Sequence, residues 1–412
     1  MRAVTVGPLM RGLHGSLALG AVMIAFGVGA PASYAGGAAG QHQGITITSD
    51  ADFTAPTSTS GCRCVVSGDG TTAATPYVIG PWAITAPNAS GSAITVDNSN
   101  PNSNLAYHIT KYFTITGISV NYNDSDPAHR SVPVIYLKDV NKQPNTKTTI
   151  SNVSANNDGT GIELDDSHNI TLDSISVNKM NGTGIKIIDQ SSNIFLSNGK
   201  YKATSDGLKP SDHFADGLYA ANSSDLYIGG PQVPACPKTG VCNTFDYDSG
   251  WGVYLRDTTD VMIDNATANA DDTGGYVLDG GSNVTLENST SEAGGPICIS
   301  LNGMRSPTGY TPTDLVGGLM LVNGTSSDTI SNDTFNGTSS SSGFSIGDGG
   351  NGVLTNNPFY FDVCMGMDTM PGLPLHGPMG SNITFSNVCY TRTDIPPTPP
   401  PQQLPPTSSC KS

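Results

Sequence analysis

The 412-residue sequence predicts an all-β chain wound as a solenoid, and three observations predict it. The first is a phrase spoken twice: Gly252-Val-Tyr-Leu-Arg-Asp-Thr-Thr-Asp260-Val-Met-Ile, then Gly275-Tyr-Val-Leu-Asp-Gly-Gly-Ser-Asn283-Val-Thr-Leu, starting 23 residues apart (275 − 252). The second is its content. Each copy is a short alternating strand opened by Gly, a polar turn ending in Asp or Asn, and a second alternating strand. A period in the twenties built from such parts is a solenoid signature. The third is composition: 49 glycines and only 13% charged residues suit a chain of many turns and short strands.

The phrase recurs on both sides, as Gly161-Ile-Glu-Leu with Asn169-Ile-Thr-Leu, Gly184-Ile-Lys-Ile with Asn193-Ile-Phe-Leu, and Gly217-Leu-Tyr-Ala with Asp225-Leu-Tyr-Ile. Gly318-Leu-Met-Leu and Gly343-Phe-Ser-Ile continue it. Strand side chains alternate between faces. Ile162/Leu164, Ile185/Ile187, Val253/Leu255, Tyr276/Leu278, Leu319/Leu321 and Phe344/Ile346 therefore point inward and stack. Glu163, Lys186, Tyr219, Tyr254 and Val277 point outward. On this register Leu255→Asp destroys the stack, and Tyr254→Asp is tolerated. Asn169, Asn193, Asp225, Asp260 and Asn283 hold the turns, because Asn and Asp accept left-handed dihedrals, and stacked amides can bond as a ladder. In these repeats the chain resembles the parallel β-helix repeat family, the right-handed β-helix of pectin-lyase-like proteins. That resemblance implies three short strands per rung over residues 76–390.

Residues 1–35 read as a signal peptide: Arg2 and Arg11, an apolar run from Leu17 to Ala30, and Ser33-Tyr-Ala35 as the cleavage signal. The run is too short to span a membrane, so the expected location is secreted or periplasmic, at the cell envelope. Without Arg2 and Arg11 the formal charge moves from −16 to −18, since that segment holds no acid. Such a surface opposes nucleic acid, and opposes long-range attraction of polyuronates unless a cation intervenes. Residues 36–75 are expected to be a flexible leader. Gly68-Asp-Gly-Thr with Pro76-Tyr-Val-Ile and Trp82-Ala-Ile resembles the opening segment of NosD-like β-helix proteins, and Tyr77, Ile79, Trp82 and Ile84 are suited to cover the open end. Gly184 to Gly217 spans 33 residues and Gly217 to Gly252 spans 35. These insertions are expected to shape one binding face. Residues 391–412 form a Pro-rich tail, which cannot join a sheet.

Eight cysteines in an exported chain favour disulfides. Cys236 and Cys242 flank a short Pro-Lys-Thr-Gly loop and are the expected pair. Cys62 and Cys64 are too close to pair comfortably with each other, and the remaining connectivity is open.

Two constellations carry chemistry. Asp216, Asp248, Asp271 and Asp272, with Asp206, Asp212 and Asp246 nearby, fall at or before Gly-led strands. They are expected along one edge beside Tyr219, Trp251 and Tyr254. Carboxylates next to flat aromatics suit a sugar chain, and paired carboxyls also perform glycoside hydrolysis. Ala215-Asp216-Gly217 and Asp271-Asp272 resemble elements of polygalacturonases, without the Gly-His-Gly or Arg-x-Lys elements that follow there. Pectate-lyase chemistry needs calcium carboxylates and a basic residue, for which Arg256 is placed. His129, His168 and His213 read as isolated. The second constellation is Cys364 to Met379, which holds four of the eight methionines outside the signal segment. Met365, Met367, Met370 and His376 have the ligand types that select Cu(I), and the NosD-like resemblance implies a copper-associated role. The expectation is thus an exported β-helix that binds extracellular polysaccharide, as hydrolase or lyase where a catalytic set is complete. A copper-binding accessory protein and a non-catalytic envelope or adhesion solenoid are the alternatives.

Overall fold

A computed structural model gives the architecture. The structure describes residues 40–54, 63–88, 91–99, 109–121, 132–142, 146–156, 159–203, 216–233, 235–236, 240–246, 248, 250–271 and 274–293, and beyond these short strands between 317 and 392. The chain divides into residues 1–38 and 39–412, and all that follows concerns the second part.

Short β-strands and a single 3₁₀ turn, Asp50–Phe53, make up the regular structure of the described residues. One sheet has ten strands, each parallel to the next: Ile45–Ile47, Ile94–Asp97, Pro133–Lys138, Thr160–Asp165, Ile185–Ile188, Leu218–Ala221, Trp251–Arg256, Gly274–Asp279, Gly317–Val322 and Ser342–Ile346. The other strands form two further files. Strand His168–Met180 joins them, since its first half pairs with Ser192–Ser197 and its second half with Lys200–Ala203. Each rung thus contributes three strands, as expected of a parallel β-helix.

The inward file follows the alternation read from the repeats. Ile162, Leu164, Ile185, Ile187, Val253, Leu255, Tyr276 and Leu278 are all buried. Backbone register carries the same file on, pairing Tyr276 with Leu319 and Leu278 with Leu321, then Leu319 with Phe344 and Leu321 with Ile346. Glycine opens these strands because neighbouring rungs approach too closely for a side chain. A Cβ on Gly161 would lie 2.3 Å from the Gly184 carbonyl oxygen, one on Gly184 2.5 Å from that of Gly217, and one on Gly217 2.6 Å from that of Gly252.

At the opposite end of the same strands the Asn/Asp turn residues adopt left-handed dihedrals, with φ of 54° at Asn169, 56° at Asn193, 53° at Asp225, 56° at Asp260 and 58° at Asn283. The amide ladder forms at two steps: Asn193 donates to Asn169, and Asn283 to Asp260.

Three expectations change. Residues 40–47 are rung, not leader, because Gly40–Gln43 pairs with Trp82–Ala86 and Ile45–Ile47 with Ile94–Asp97. Tyr77, Ile79 and Ile84 are consequently interior residues. The ring of Phe53, on the 3₁₀ turn, stacks on Tyr77 at 4.8 Å, and strand Val65–Ser67 runs antiparallel to Tyr77–Ile79. Finally, the two insertions fall at different points of the rung in the order of the strands, and residues 204–215 of the first lie outside the described residues. The first follows Lys200–Ala203, the last strand of its rung. The second lies between Ser224–Ile228 and Asn243–Phe245, where the expected Cys236–Cys242 disulfide closes it with a Cα–Cα distance of 5.2 Å. Cys64 is also disulfide-bonded.

Candidate functional site

The outer face of the ten-stranded sheet carries aromatic and charged side chains on consecutive rungs. Alternation aims two files outward. One runs Tyr136, Glu163, Lys186, Tyr219, Tyr254, Val277 on six successive rungs. The other, two residues further along each strand, runs Lys138, Asp165, Ile188, then Ala221, Arg256, Asp279.

Two clusters of the same design stand on this face. In the first, the Tyr136 hydroxyl donates to Asp165 Oδ2 at 2.7 Å, and Lys138 Nζ lies 3.3 Å from the same oxygen. In the second, the Tyr254 hydroxyl donates to Asp279 Oδ2, also at 2.7 Å, and Arg256 sits one rung from Asp279 in the same file. Arg256 donates to the Tyr219 hydroxyl, and the Tyr219 and Tyr254 rings meet edge to face at 5.6 Å. Burial, then the neighbouring carboxylate, pushes the Tyr136 and Tyr254 hydroxyls far above their ordinary range, so both stay protonated donors. Between the clusters, Lys186 Nζ bonds Glu163 Oε1 at 3.1 Å. Tyr136, Lys138, Asp165 and Asp279 escaped the sequence reading. The signal was there, since Ile135-Tyr-Leu-Lys138 repeats Val253-Tyr-Leu-Arg256.

Tyr219, Tyr254 and Arg256 occupy this face. Trp251 does not: it is 1% exposed, buried at the start of its strand and apart from the core cluster that holds Val253 and Leu255. Val277 has the outward parity but is buried.

The acidic edge is also different in kind. Asp216 and Asp248 come together, but as buried ties between rungs, 3% and 1% exposed. Asp216 lies two residues before inward Leu218 and shares its face; its Oδ1 accepts the Trp251 N–H at 2.8 Å. Asp248 Oδ1 accepts the Ala203 N–H at 2.5 Å, and its other oxygen lies against Gly217, where a Cβ would come within 2.4 Å. Burial pushes the Asp216 carboxyl up to about 8. Burial also holds Asp248 well above the usual carboxylate range, with the charges of Asp216 and Asp246 adding to it. Two carboxyls this close and this dry do not both ionise near neutrality. Asp271 ends strand Ala266–Asp271 in a different file; its side chain and Asp272 lie outside the described residues, as do Met365, Met367, Met370 and His376.

His168 is not isolated. Its Nδ1 meets Ser192 Oγ at 2.7 Å and its Nε2 lies 3.5 Å from Asp166. The three have the composition of a nucleophilic triad, but Asp166 is held by Lys142, and His168 and Ser192 are simply register partners on adjacent rungs.

Residues 134–308 match the family described as right handed beta helix region, and the fold is a right-handed parallel β-helix. Among solved structures, the A-module of mannuronan C-5 epimerase AlgE6 from Azotobacter vinelandii is similar, with 13% identity, coverage of 76% of this chain and 81% of that one, and a TM-score of 0.43. Pectate lyase Bsp165PelA from Bacillus sp. N165, in complex with trigalacturonate, shows 14% identity, 73% and 80% coverage, and a TM-score of 0.32. PfbA, a surface adhesin of Streptococcus pneumoniae, shows 10% identity, 77% and 81% coverage, and a TM-score of 0.34. No curated protein matches the chain.

Proposed function

We propose that this protein is exported and binds extracellular polysaccharide laid across the rungs on the outer face of the ten-stranded sheet. One observation carries the reading: Tyr136, Tyr219 and Tyr254 recur on a single outward file, each half-buried, beside oriented polar groups. A sugar ring needs an apolar platform for its C–H face and fixed donors and acceptors for its hydroxyls. The edge-to-face pair Tyr219–Tyr254 supplies both within two rungs. The binding role does not use Asp216 and Asp248, whose carboxyls are sealed from a ligand on this face, so glycoside cleavage forms no part of the proposal.

The test is a glycan-array screen of the full-length chain, with and without calcium, repeated with Tyr254→Ala. The expected result is at least one bound glycan class whose signal falls about tenfold or more when the ring is removed, the scale of one lost stacking contact. Retention of that signal by Tyr254→Ala would move the binding surface elsewhere.

A further inference from the structure

The cations of the outer face are held by groups of the same face. Among the described residues, outward positions from Ile94–Asp97 to Gly274–Asp279 carry the cations Lys138, Lys186 and Arg256, and the carboxylates Asp97, Glu163, Asp165 and Asp279. The formal sum is −1 (3 − 4), and Asp257, in the turn beside Arg256, takes it to −2. Lys138 Nζ lies 3.3 Å from Asp165 Oδ2, within the field of Asp97, and Lys186 Nζ lies 3.1 Å from Glu163 Oε1. Arg256 donates to the Tyr219 hydroxyl, stands 3.8 Å from Asp257 Oδ2, and has Asp279 on the next rung of its file. The carboxylates are engaged in turn, since Asp165 and Asp279 each accept a tyrosine hydroxyl at 2.7 Å.

This pairing decides which glycans the face can hold. An anionic glycan must draw a lysine from its carboxylate before its own anion can use the cation. The side chains of Asp165 and Glu163 are only 12% and 15% exposed, and a carboxylate stripped of its partner at that depth is costly. The incoming anion also meets a face of negative sum, within the short range where salt does not screen it. The whole chain, −16 at pH 7, opposes it too. An uncharged glycan meets none of these obstacles. Its hydroxyls can donate to carboxylates whose pairs stay intact, because each carboxylate has about four acceptor sites. Its C–H faces need only the rings of Tyr219 and Tyr254.

We infer that, given the binding reading above, this face selects an uncharged polysaccharide, and that Glu163 and Asp165 act against uronate- or sulfate-bearing chains by holding Lys186 and Lys138. Discrimination of this kind comes from what the wrong ligand would break as much as from what the right one makes.

The experiment measures binding of the full-length chain to uncharged cello-, xylo- and manno-oligosaccharides, and to oligogalacturonate and oligomannuronate of equal length with and without calcium. At least one uncharged chain is expected to bind tenfold or more tightly than either anionic chain. Its affinity should change less than about twofold between about 50 mM and about 500 mM NaCl, since no ion pair with the ligand is screened. Glu163→Gln, which releases Lys186, should strengthen oligogalacturonate binding at least threefold. Thermal unfolding of the variant confirms that the scaffold is intact; Asp165→Asn makes the same test at Lys138 if Glu163→Gln does not fold. An anionic chain bound as tightly as the uncharged ones, or an affinity that falls steeply with salt, would overturn the selection and leave the polysaccharide reading in place. Unchanged oligogalacturonate binding by the folded variant would overturn the role of the paired carboxylates. Absence of any bound glycan, on the array as well as among these probes, would remove both readings.

Discussion

The two ends of the strands around Gly217 and Trp251 are built from the same residue types and behave in opposite ways. Where the chain enters the strand, glycine and aspartate make a sealed corner: Gly217 leaves room for Asp248, and Asp216 and Asp248 tie the backbones of Trp251 and Ala203. Where the chain leaves it, Asp260 and Asn283 sit exposed, in left-handed turns, joined by one amide bond. Between the ends lies the outward face with its tyrosines. The difference teaches that an Asp in a solenoid turn is neither a solvated turn former nor a groove-lining acid by virtue of its type. Parity with the inward file decides.

The sealed corner should break hardest. Gly217→Ala places a Cβ 2.4 Å from the Asp248 carboxyl, 2.6 Å from the Gly252 carbonyl and 2.9 Å from the Phe245 Cβ. Two of these neighbours are backbone or core, so something must move. We expect a loss of several kcal/mol, read as a large fall in melting temperature. A variant melting with the wild type would show that the rungs at this corner are looser than the structure describes.

The next effect is a pH dependence. The folded pKa of Asp216, about 8, lies above its ordinary 3.8, so protonation favours the folded state. The contribution is complete below about pH 4 and is lost as pH rises toward and through 8. Denaturant unfolding at pH 5 and pH 8.5 should show lower stability at the higher pH, by a few kcal/mol. Asp216→Asn keeps an acceptor for the Trp251 N–H and carries no charge, so it should reduce that difference to the part that buried Asp248 contributes. An unchanged slope in the variant would assign the titration to another group.

On the face between the corners, the hydroxyl of Tyr254 meets Asp279. The expectation from alternation alone, that Tyr254→Asp is harmless, therefore does not hold, because the new carboxylate would stand beside an existing one. Tyr254→Phe is the cleaner probe and should cost about 1 kcal/mol, the worth of one hydrogen bond, against several for Leu255→Asp in the core. Equal costs for Tyr254→Phe and Leu255→Asp would mean that the register is wrong.

Much of this was legible in advance. Inward and outward files, left-handed turns, the Cys236–Cys242 pair and the uneven rungs all follow from alternation, turn chemistry and spacing, which are local. The sealed corner was not legible, because its contacts join residues across insertions: Asp216 with Trp251, and Ala203 with Asp248. The Tyr136 cluster had a local signal, in the repeat of Tyr-Leu followed by a basic residue. The first rung, residues 40–47, offered only one short alternating segment, Ile45-Thr-Ile47, too little to set against its Gly-rich surroundings.

The exposed corner should give the smallest effect, and it can be divided into its two parts. Asn283 contributes an amide to Asp260 and tolerates φ of 58°. Replacement by Ala removes the bond and leaves a Cβ in the left-handed region without the local side-chain hydrogen bonding that lets Asn tolerate it, at a cost of about 1 kcal/mol. Replacement by Gly removes the same bond and leaves the dihedral unstrained. If the turn is held by its backbone conformation, Asn283→Gly should stay within about 0.5 kcal/mol of the wild type while Asn283→Ala loses about 1 kcal/mol. Equal losses from both would make the amide ladder the stronger element, and the exposed corner would then resemble the sealed one in being held by side chains that reach from rung to rung. Denaturant midpoints at constant m-value are sufficient to tell these apart.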